Sequence, residues 1–422
     1  MVSRRLPAFP WLVAAVLMTL QYGVAADKIV VDGATDWPQW LGPHRDGTSG
    51  VTGLQREWPA EGPVQVWRKP LGEGFSSIAV AGGALYTMFA DGSGEYIVSL
   101  NANDGGERWR VRSGAQYIDG QGGNGPRSTP VVDGDLVFAL GASGQLYAVR
   151  TASGEIAWMH DLQKEFGSPL PAWGFSGSPL VEGDLLLLEL GGKQGRSLAA
   201  FDKNSGKVVW TGQEDESGYS SPIAATVNGL RQAVFFTAGG LIAVTPTDGV
   251  VQWRYPWHTS YNVNAATPLF IPPNRFFISS AYDVGASVLE VTRSDNGMQA
   301  TTVWRNKTMQ NKMATAVHQG GFIYGLHNSI LKCIDAATGT DQWKERGYGA
   351  GTLVWADGLL LVLSDKGRLA LVSADPTGHH GLASAQILNG LCWTAPSLAN
   401  GRLYIRDMTE IVCLQLTADP RG

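Results

Sequence analysis

The sequence predicts an all-β fold: an eight-bladed β-propeller of four-stranded antiparallel blades, closed by an N-terminal strand. Three observations carry that expectation. Seven tryptophans, Trp67, Trp109, Trp158, Trp210, Trp253, Trp304 and Trp343, recur at gaps of 42, 49, 52, 43, 51 and 39 residues, and self-similarity at such a period marks a repeat architecture. Most of them close the same phrase: a short apolar strand, a small turn containing Gly, then two or three residues before the indole. The last copy of the phrase lacks its final strand, while an orphan strand with its own tryptophan, residues 63–67, stands ahead of the first copy.

The unit is clearest between Ser128 and Trp158. Residues 128–140 read as a strand, a tight Asp133-Gly134 turn and a second strand. Residues 144–149 form a third strand, Ser153-Gly154 a turn, and residues 155–158 a fourth. Equivalent segments lie at 77–109, 178–210, 221–253 and 267–304, the last of these stretched by residues 293–299. The sixth copy ends at Trp343, the seventh (357–371 and beyond) has no tryptophan, and the eighth stops after three strands at 412–414. A terminal strand that completes the eighth blade closes the ring, which is how an all-β chain of this length avoids long exposed edges. Pro130, Pro179, Pro222, Pro268 and Pro396 each open the first strand of a copy. Proline cannot donate to a ladder, so these strands belong at an edge, and the innermost strand of a propeller blade is one.

The chain ahead of the ring divides in two. Residues 12–20 are apolar, follow Arg4 and Arg5, and precede the small residues Val24-Ala25-Ala26. This reads as a secretory signal peptide, residues 1–26, since the apolar run is short for a membrane span. No cysteine stands near the cleavage point, which argues against a lipoprotein anchor. Residues 27–60 then form an N-terminal arm, 61–416 the propeller and 417–422 a C-terminal tail. The mature chain is expected to be exported to the periplasm or cell envelope as a monomer, with no transmembrane span after cleavage.

Composition excludes some classes. Of 422 residues 44% are hydrophobic and only 16% charged, with 54 glycines and a net charge of −5. No Lys/Arg run extends beyond Arg4-Arg5, so nucleic acid is not an expected partner. Cys333, Cys392 and Cys413 form no C-x-x-C and no adjacent pair. Cys392 precedes the first strand and Cys413 lies in the third strand of one blade, about twice 4.8 Å apart, beyond the reach of a disulfide. Three free thiols are expected. Gly120, Gly122 and Gly125 match G-x-G-x-x-G but precede a strand, so no dinucleotide site follows. Seven scattered histidines, with no H-E-x-x-H, and the lack of a G-x-S-x-G elbow leave no candidate catalytic residue and no metal site.

The phrase C-I-D-A-A-T-G-T-D-Q-W, residues 333–343, resembles the tryptophan-docking repeat A-x-D-x-x-T-G-x-x-x-W of the PQQ-like repeat family. Residues 201–210 are another clear copy. That family includes quinoprotein dehydrogenases and the non-enzymatic BamB-type propellers of the outer-membrane assembly machine. The resemblance implies that the seven tryptophans pack between neighbouring blades. Residues 36–47 look like the arm that precedes such propellers in exported proteins of planctomycete-type bacteria. Quinoprotein alcohol dehydrogenases use a carboxylate base, a Ca²⁺ held by Glu and Asn, and adjacent cysteines stacked on the quinone. This chain has no Cys-Cys pair and no C-x-x-C-H haem motif. No cofactor is therefore expected, and PQQ with Ca²⁺ belongs to the alternative reading alone.

Variable chemistry on a propeller usually sits on loops at one mouth of the channel. Here the links from each fourth strand to the next first strand are the richest stretches: 117–127, 166–175, Tyr219, 257–264, Asn311-Lys312, Tyr348 and Cys392-Trp393. Arg127, Trp173, Tyr219, Trp257, His258, Tyr261, Asn264 and Trp393 are the expected ligand-binding residues, because rings stack and amides fix orientation. On this reading, replacing Trp257 and Tyr261 weakens binding and leaves stability nearly unchanged. The competing reading packs Trp173, Trp257 and Trp393 against the blades. The expected function is an exported non-catalytic scaffold that binds a protein, polymer or glycan ligand at the loop face. The alternative is a PQQ-dependent alcohol dehydrogenase or a degenerate relative.

Overall fold

The computed structural model describes residues 1–2 and 35–418. The expected signal peptide, apart from its first two residues, the start of the arm and residues 419–422 lie outside the described residues. Among the described residues, thirty-two strands form eight four-stranded antiparallel sheets. Seven of them follow the chain in order, and the eighth takes its outer strand from the other end of the sequence. The innermost strands are Ala79–Ala81, Val131–Asp133, Leu180–Glu182, Ile223–Val227, Leu269–Ile271, Val317–Gln319, Thr352–Ala356 and Ser397–Ala399. We number the blades 1 to 8 in that order. The innermost strands of blades 1 and 8 touch, so the ring is closed. Pro130, Pro179, Pro222, Pro268 and Pro396 each stand immediately before an innermost strand, where the missing N–H costs no ladder bond.

Closure is made by Val64–Pro70, which runs antiparallel to Glu410–Gln415 and sets Trp67 opposite Cys413. Blade-to-blade contact is made by the indoles. The Trp67, Trp109, Trp158, Trp210, Trp304 and Trp343 Nε1 groups donate to the carbonyls of Ala102, Thr151, Lys203, Pro246, Ala336 and Asp375, at 2.7–3.1 Å. Each acceptor lies in the turn between the third and fourth strands of the next blade. Five of these indoles lie over a glycine of that turn, at Gly105, Gly154, Gly206, Gly249 and Gly339. A Cβ on any of the five would come within 2.6–3.0 Å of the ring, and each has positive φ, so both contact and turn require glycine. A β-bulge beside the tryptophan in the outer strand accompanies every docked blade.

Two blades depart from the rule, each for a visible reason. In blade 5 the third and fourth strands, Gly285–Ser294 and Gly297–Asn306, are ten residues each and form a long hairpin that carries no such turn. Trp253 accordingly donates to Gln232 Oε1 of its own blade at 2.7 Å. In blade 7 Ala383 takes the tryptophan's place opposite Leu371, with the bulge retained. The chain just ahead of the closing strand covers that outer edge. A Cβ on Gly62 would lie 2.8 Å from Ala385 and Ile387, and Trp58 packs on the same cluster. Cys333, Cys392 and Cys413 are free and buried, as their placement on the strands predicts.

The arm does something the sequence pattern did not indicate. Its residues 37–49 run inside the ring and pair with the innermost strands, whose inner edges would otherwise present unpaired backbone groups. Trp37 exchanges two backbone bonds with Val80 of blade 1, and Pro38 O accepts from Val132 of blade 2. Arg45 donates to Ser178 O and Pro179 O of blade 3 at 2.9 and 2.7 Å. Trp40 donates to Thr267 Oγ1 of blade 5 at 2.9 Å. Gly47 and Ser49 pair with Trp355 of blade 7, and Ser49 Oγ bonds Leu398 O of blade 8. Burial lowers the Arg45 guanidinium to about 9, so it is still a cation at neutral pH, and it is solvated by carbonyls and Gln39. The arm enters beside Asn400 and leaves beside Asp357, both in turns joining first to second strands. It therefore enters and returns at one end of the channel, the lower end, and fills it.

Two outcomes test this packing. Trp210→Ala is expected to cost about 3–5 kcal/mol in urea unfolding, as loss of a large buried aromatic does, and a loss below about 1 kcal/mol would contradict docking. Arg45→Met is expected to cost at least about 2 kcal/mol, because it strands buried carbonyls. An unchanged unfolding midpoint would mean the arm does not fill the channel.

Candidate functional site

Because strands alternate in direction, the loops from fourth to first strands and those between second and third strands emerge at the upper end. There they surround a cavity of about 320 Å³ on the channel axis, a size at the small end of ligand sites of about 300–1,000 Å³. Its floor is Trp40, carried by the arm that plugs the lower end of the channel and held by its bond to Thr267 Oγ1 of blade 5. The cavity is thus a blind cup.

Its walls are aromatic. Phe75, from the blade 8 to blade 1 link, and Trp393, from the blade 7 to blade 8 link, lie with ring centroids 5.3 Å apart and planes 30° apart. Trp173 and Tyr219 face each other at 5.6 Å. Tyr282, from the loop between the second and third strands of blade 5, and Met313 complete the apolar lining. The hydrogen-bonding groups of the lining include Gln121, Ser176 and Ser221.

Two cations stand in the wall, and they differ. Arg127 has both terminal nitrogens engaged: Nη1 with Gly125 O at 2.5 Å, Nη2 with Gly123 O at 2.6 Å and with Asp119 Oδ2 at 3.3 Å. Its guanidinium also lies 4.7 Å from the Tyr117 ring centroid. Arg127 therefore ties down the glycine-rich 117–127 loop. Glu95 holds the start of that loop by accepting from the Tyr117 N–H at 3.1 Å. Burial raises the Glu95 carboxyl above its usual range, and the backbone donors and Arg127 oppose the shift. Lys312, by contrast, lies over the Trp393 ring at 5.9 Å and pairs with no carboxylate among the described residues.

Of the eight residues expected to bind, the structure brings Arg127, Trp173, Tyr219 and Trp393 together in the cup. Trp257 and Asn264 are corrections. Trp257 is 1% exposed, packed in the core of blades 4 and 5. Its Nε1 donates to Ser280 Oγ at 3.0 Å, and the Arg305 guanidinium caps its ring at 4.2 Å. Asn264 is fully buried and ties Thr237 O, Trp257 O and Ser280 Oγ together. Its own carbonyl accepts from the Tyr219 N–H, so this network sets the height of the Tyr219 ring. His258 and Tyr261 are exposed on the upper face outside the cup. Trp40, Phe75, Tyr282 and Met313 were missed. Phe75 lies on a link of the same class as the others and was readable in principle, whereas Trp40 is reached only through the plug.

The cup does not suit PQQ with Ca²⁺. Its lining offers no carboxylate to ligate a hard cation or to act as a base. Among the described residues no group of three or more His, Cys, Asp and Glu could hold a metal.

A closed ring of four-stranded blades, docked indole to turn, defines a tryptophan-docked β-propeller of the PQQ-like repeat class. The model of a family described as outer membrane protein assembly factor BamB matches residues 93–345, and the chain belongs to that family. BamB of Shewanella oneidensis is 23% identical over 335 residues, 73% of this chain and 77% of the relative. BamB of Burkholderia pseudomallei is 25% identical over 359 residues, 77% of this chain and 83% of the relative. The crystal structure of BamB from Moraxella catarrhalis superposes with a TM-score of 0.60 at 17% identity, covering 84% of this chain and 98% of that one. A quinohemoprotein alcohol dehydrogenase from Comamonas testosteroni superposes with a TM-score of 0.61 at 13% identity, covering 94% and 83%. An assembly factor and an alcohol dehydrogenase share the fold, so the fold does not choose between them.

Trp257→Ala is expected to lower stability by about 3–5 kcal/mol, and Tyr261→Ala to change it by no more than about 0.5 kcal/mol. Urea unfolding of the two variants checks this, and equal effects would mean that Trp257 is not core.

Proposed function

We propose that this chain is an exported, non-catalytic scaffold of the cell envelope that docks a partner protein on its upper face. The observation that carries the reading is the apolar rim around the cup. Ile118 is 68% exposed, Tyr261 82% and Tyr282 54%, and Leu170 and Leu391 are exposed beside them on loops of the same end. Exposed apolar side chains gathered at one end of a rigid frame are characteristic of interaction surfaces. Backbone strain adds to this. Tyr261 and Tyr282 have φ of 61° and 56°, a left-handed conformation that costs on the order of 1–3 kcal/mol. Neither ring is buried in return: Tyr261 stands out from the upper face and Tyr282 lines the mouth of the cup, both at the fold's expense.

Membership of the BamB family supports the scaffold side of the reading, since the relatives are named as outer membrane protein assembly factors. The donor set of the cup weighs against the PQQ alternative, because the lining brings no carboxylate to ligate Ca²⁺ or to act as the base. Localisation in the envelope rests on the signal-like segment and on the same relatives. No helix among the described residues is long and apolar enough to cross a membrane.

Site-specific photocrosslinking in cells tests the proposal. A photoreactive side chain at Ile118 or Tyr282 is expected to give one discrete protein adduct, and one at Asn204, in a turn of the lower face, none. Equal adducts from both faces would contradict it, as would dye-linked alcohol oxidation by the protein reconstituted with PQQ and Ca²⁺.

A further inference from the structure

The cup constrains its occupant more closely than the rim does. Trp40 closes the floor, so no chain threads the propeller, and only an end or a protruding group can enter. Sugar rings need several acceptors and donors at once, whereas this lining is mostly apolar surface, without a carboxylate, and its neutral polar groups are Gln121, Ser176, Ser221 and the hydroxyls of Tyr219 and Tyr282. The walls offer two aromatic pairs, Phe75 with Trp393 and Trp173 with Tyr219, which suit an apolar or aromatic group of one or two residues. The charge is one-sided. Arg127 is neutralised by Asp119 and spent on its own loop, while Lys312 is uncompensated, so the site carries one free positive charge. An unpaired cation among aromatic rings favours an anion, and the anion found at the end of a polypeptide is its terminal carboxylate.

We propose that the cup receives the C-terminal residue of an extended partner polypeptide, with an aromatic or large apolar side chain between the two aromatic pairs and the terminal carboxylate on Lys312 Nζ. The residues before it lie across the rim at Ile118, Leu170 and Leu391. This rests on the docking reading above and makes it more specific: the partner is recognised by its end.

Fluorescence anisotropy with three probes tests it on the mature chain. The probes are a dye-labelled decapeptide ending in Phe with a free carboxylate, the same peptide as its C-terminal amide, and the same peptide extended by two glycines. The free acid is expected to bind, and the amide and the extended peptide to bind at least about tenfold more weakly, the scale of one charge-assisted hydrogen bond. Lys312→Met should bring the acid down to the level of the amide, and Lys312→Arg should keep most of the preference. The amide comparison needs no variant, so a folding defect in Lys312→Met does not obscure the answer. Equal binding of acid and amide would overturn the terminal-carboxylate proposal and leave the docking face standing. So would failure of all three peptides where crosslinks from Ile118 and Tyr282 persist. Tight binding of a neutral oligosaccharide instead would overturn both.

Discussion

The structure depends on one contact, an indole of one blade lying over a turn glycine of the next and donating to a carbonyl of that turn. The contact joins only neighbours, so the fold is a chain of pairwise interfaces that stays open unless something links the last blade to the first. Trp67 and its strand supply that link, bringing the two ends of the sequence into one sheet. The rest follows in order. Closure creates a channel walled by strand edges, the edges need partners, and the arm supplies them. The arm, in turn, places Trp40 where it floors the cup.

What the sequence made legible was the part whose determinants recur at the repeat period. Tryptophan, turn glycine and strand-opening proline are each local marks, and eight blades with ring closure could be read from them. The two departures, at Trp253 and in blade 7, were visible only as a stretched copy and a missing tryptophan. Their solutions are not local: Trp253 turns to Gln232 in its own blade, and the chain ahead of the closing strand covers the gap at Ala383.

The site was half legible for a related reason. Loop class predicted that Arg127, Trp173, Tyr219 and Trp393 converge, because a closed ring leaves those links nowhere else to go. It could not separate ring-bearing residues that face the axis from those that face the blades. Trp257 belongs to the second kind because Ser280 and Arg305, on blade 5, offer its N–H an acceptor and its face a cation. The plug was illegible, since its partners are mostly main-chain groups and any sequence of similar size presents those. The same frame is found in an assembly factor and in a dehydrogenase, so function has to be argued from the groups lining the cup. Here these are chiefly aromatic rings, with a few neutral polar groups, a committed Arg127 and an unpaired Lys312.

The arm is part of the folded ring and turns an open channel into a closed cup. Native-state hydrogen exchange measures this directly. The amides of Trp37 and Ser49 are expected to exchange as slowly as those of their partners Val80 and Trp355, through global unfolding of the ring. Exchange of the arm amides at the rate of exposed loops, with Val80 and Trp355 still protected, would contradict the account and leave the cup without a floor.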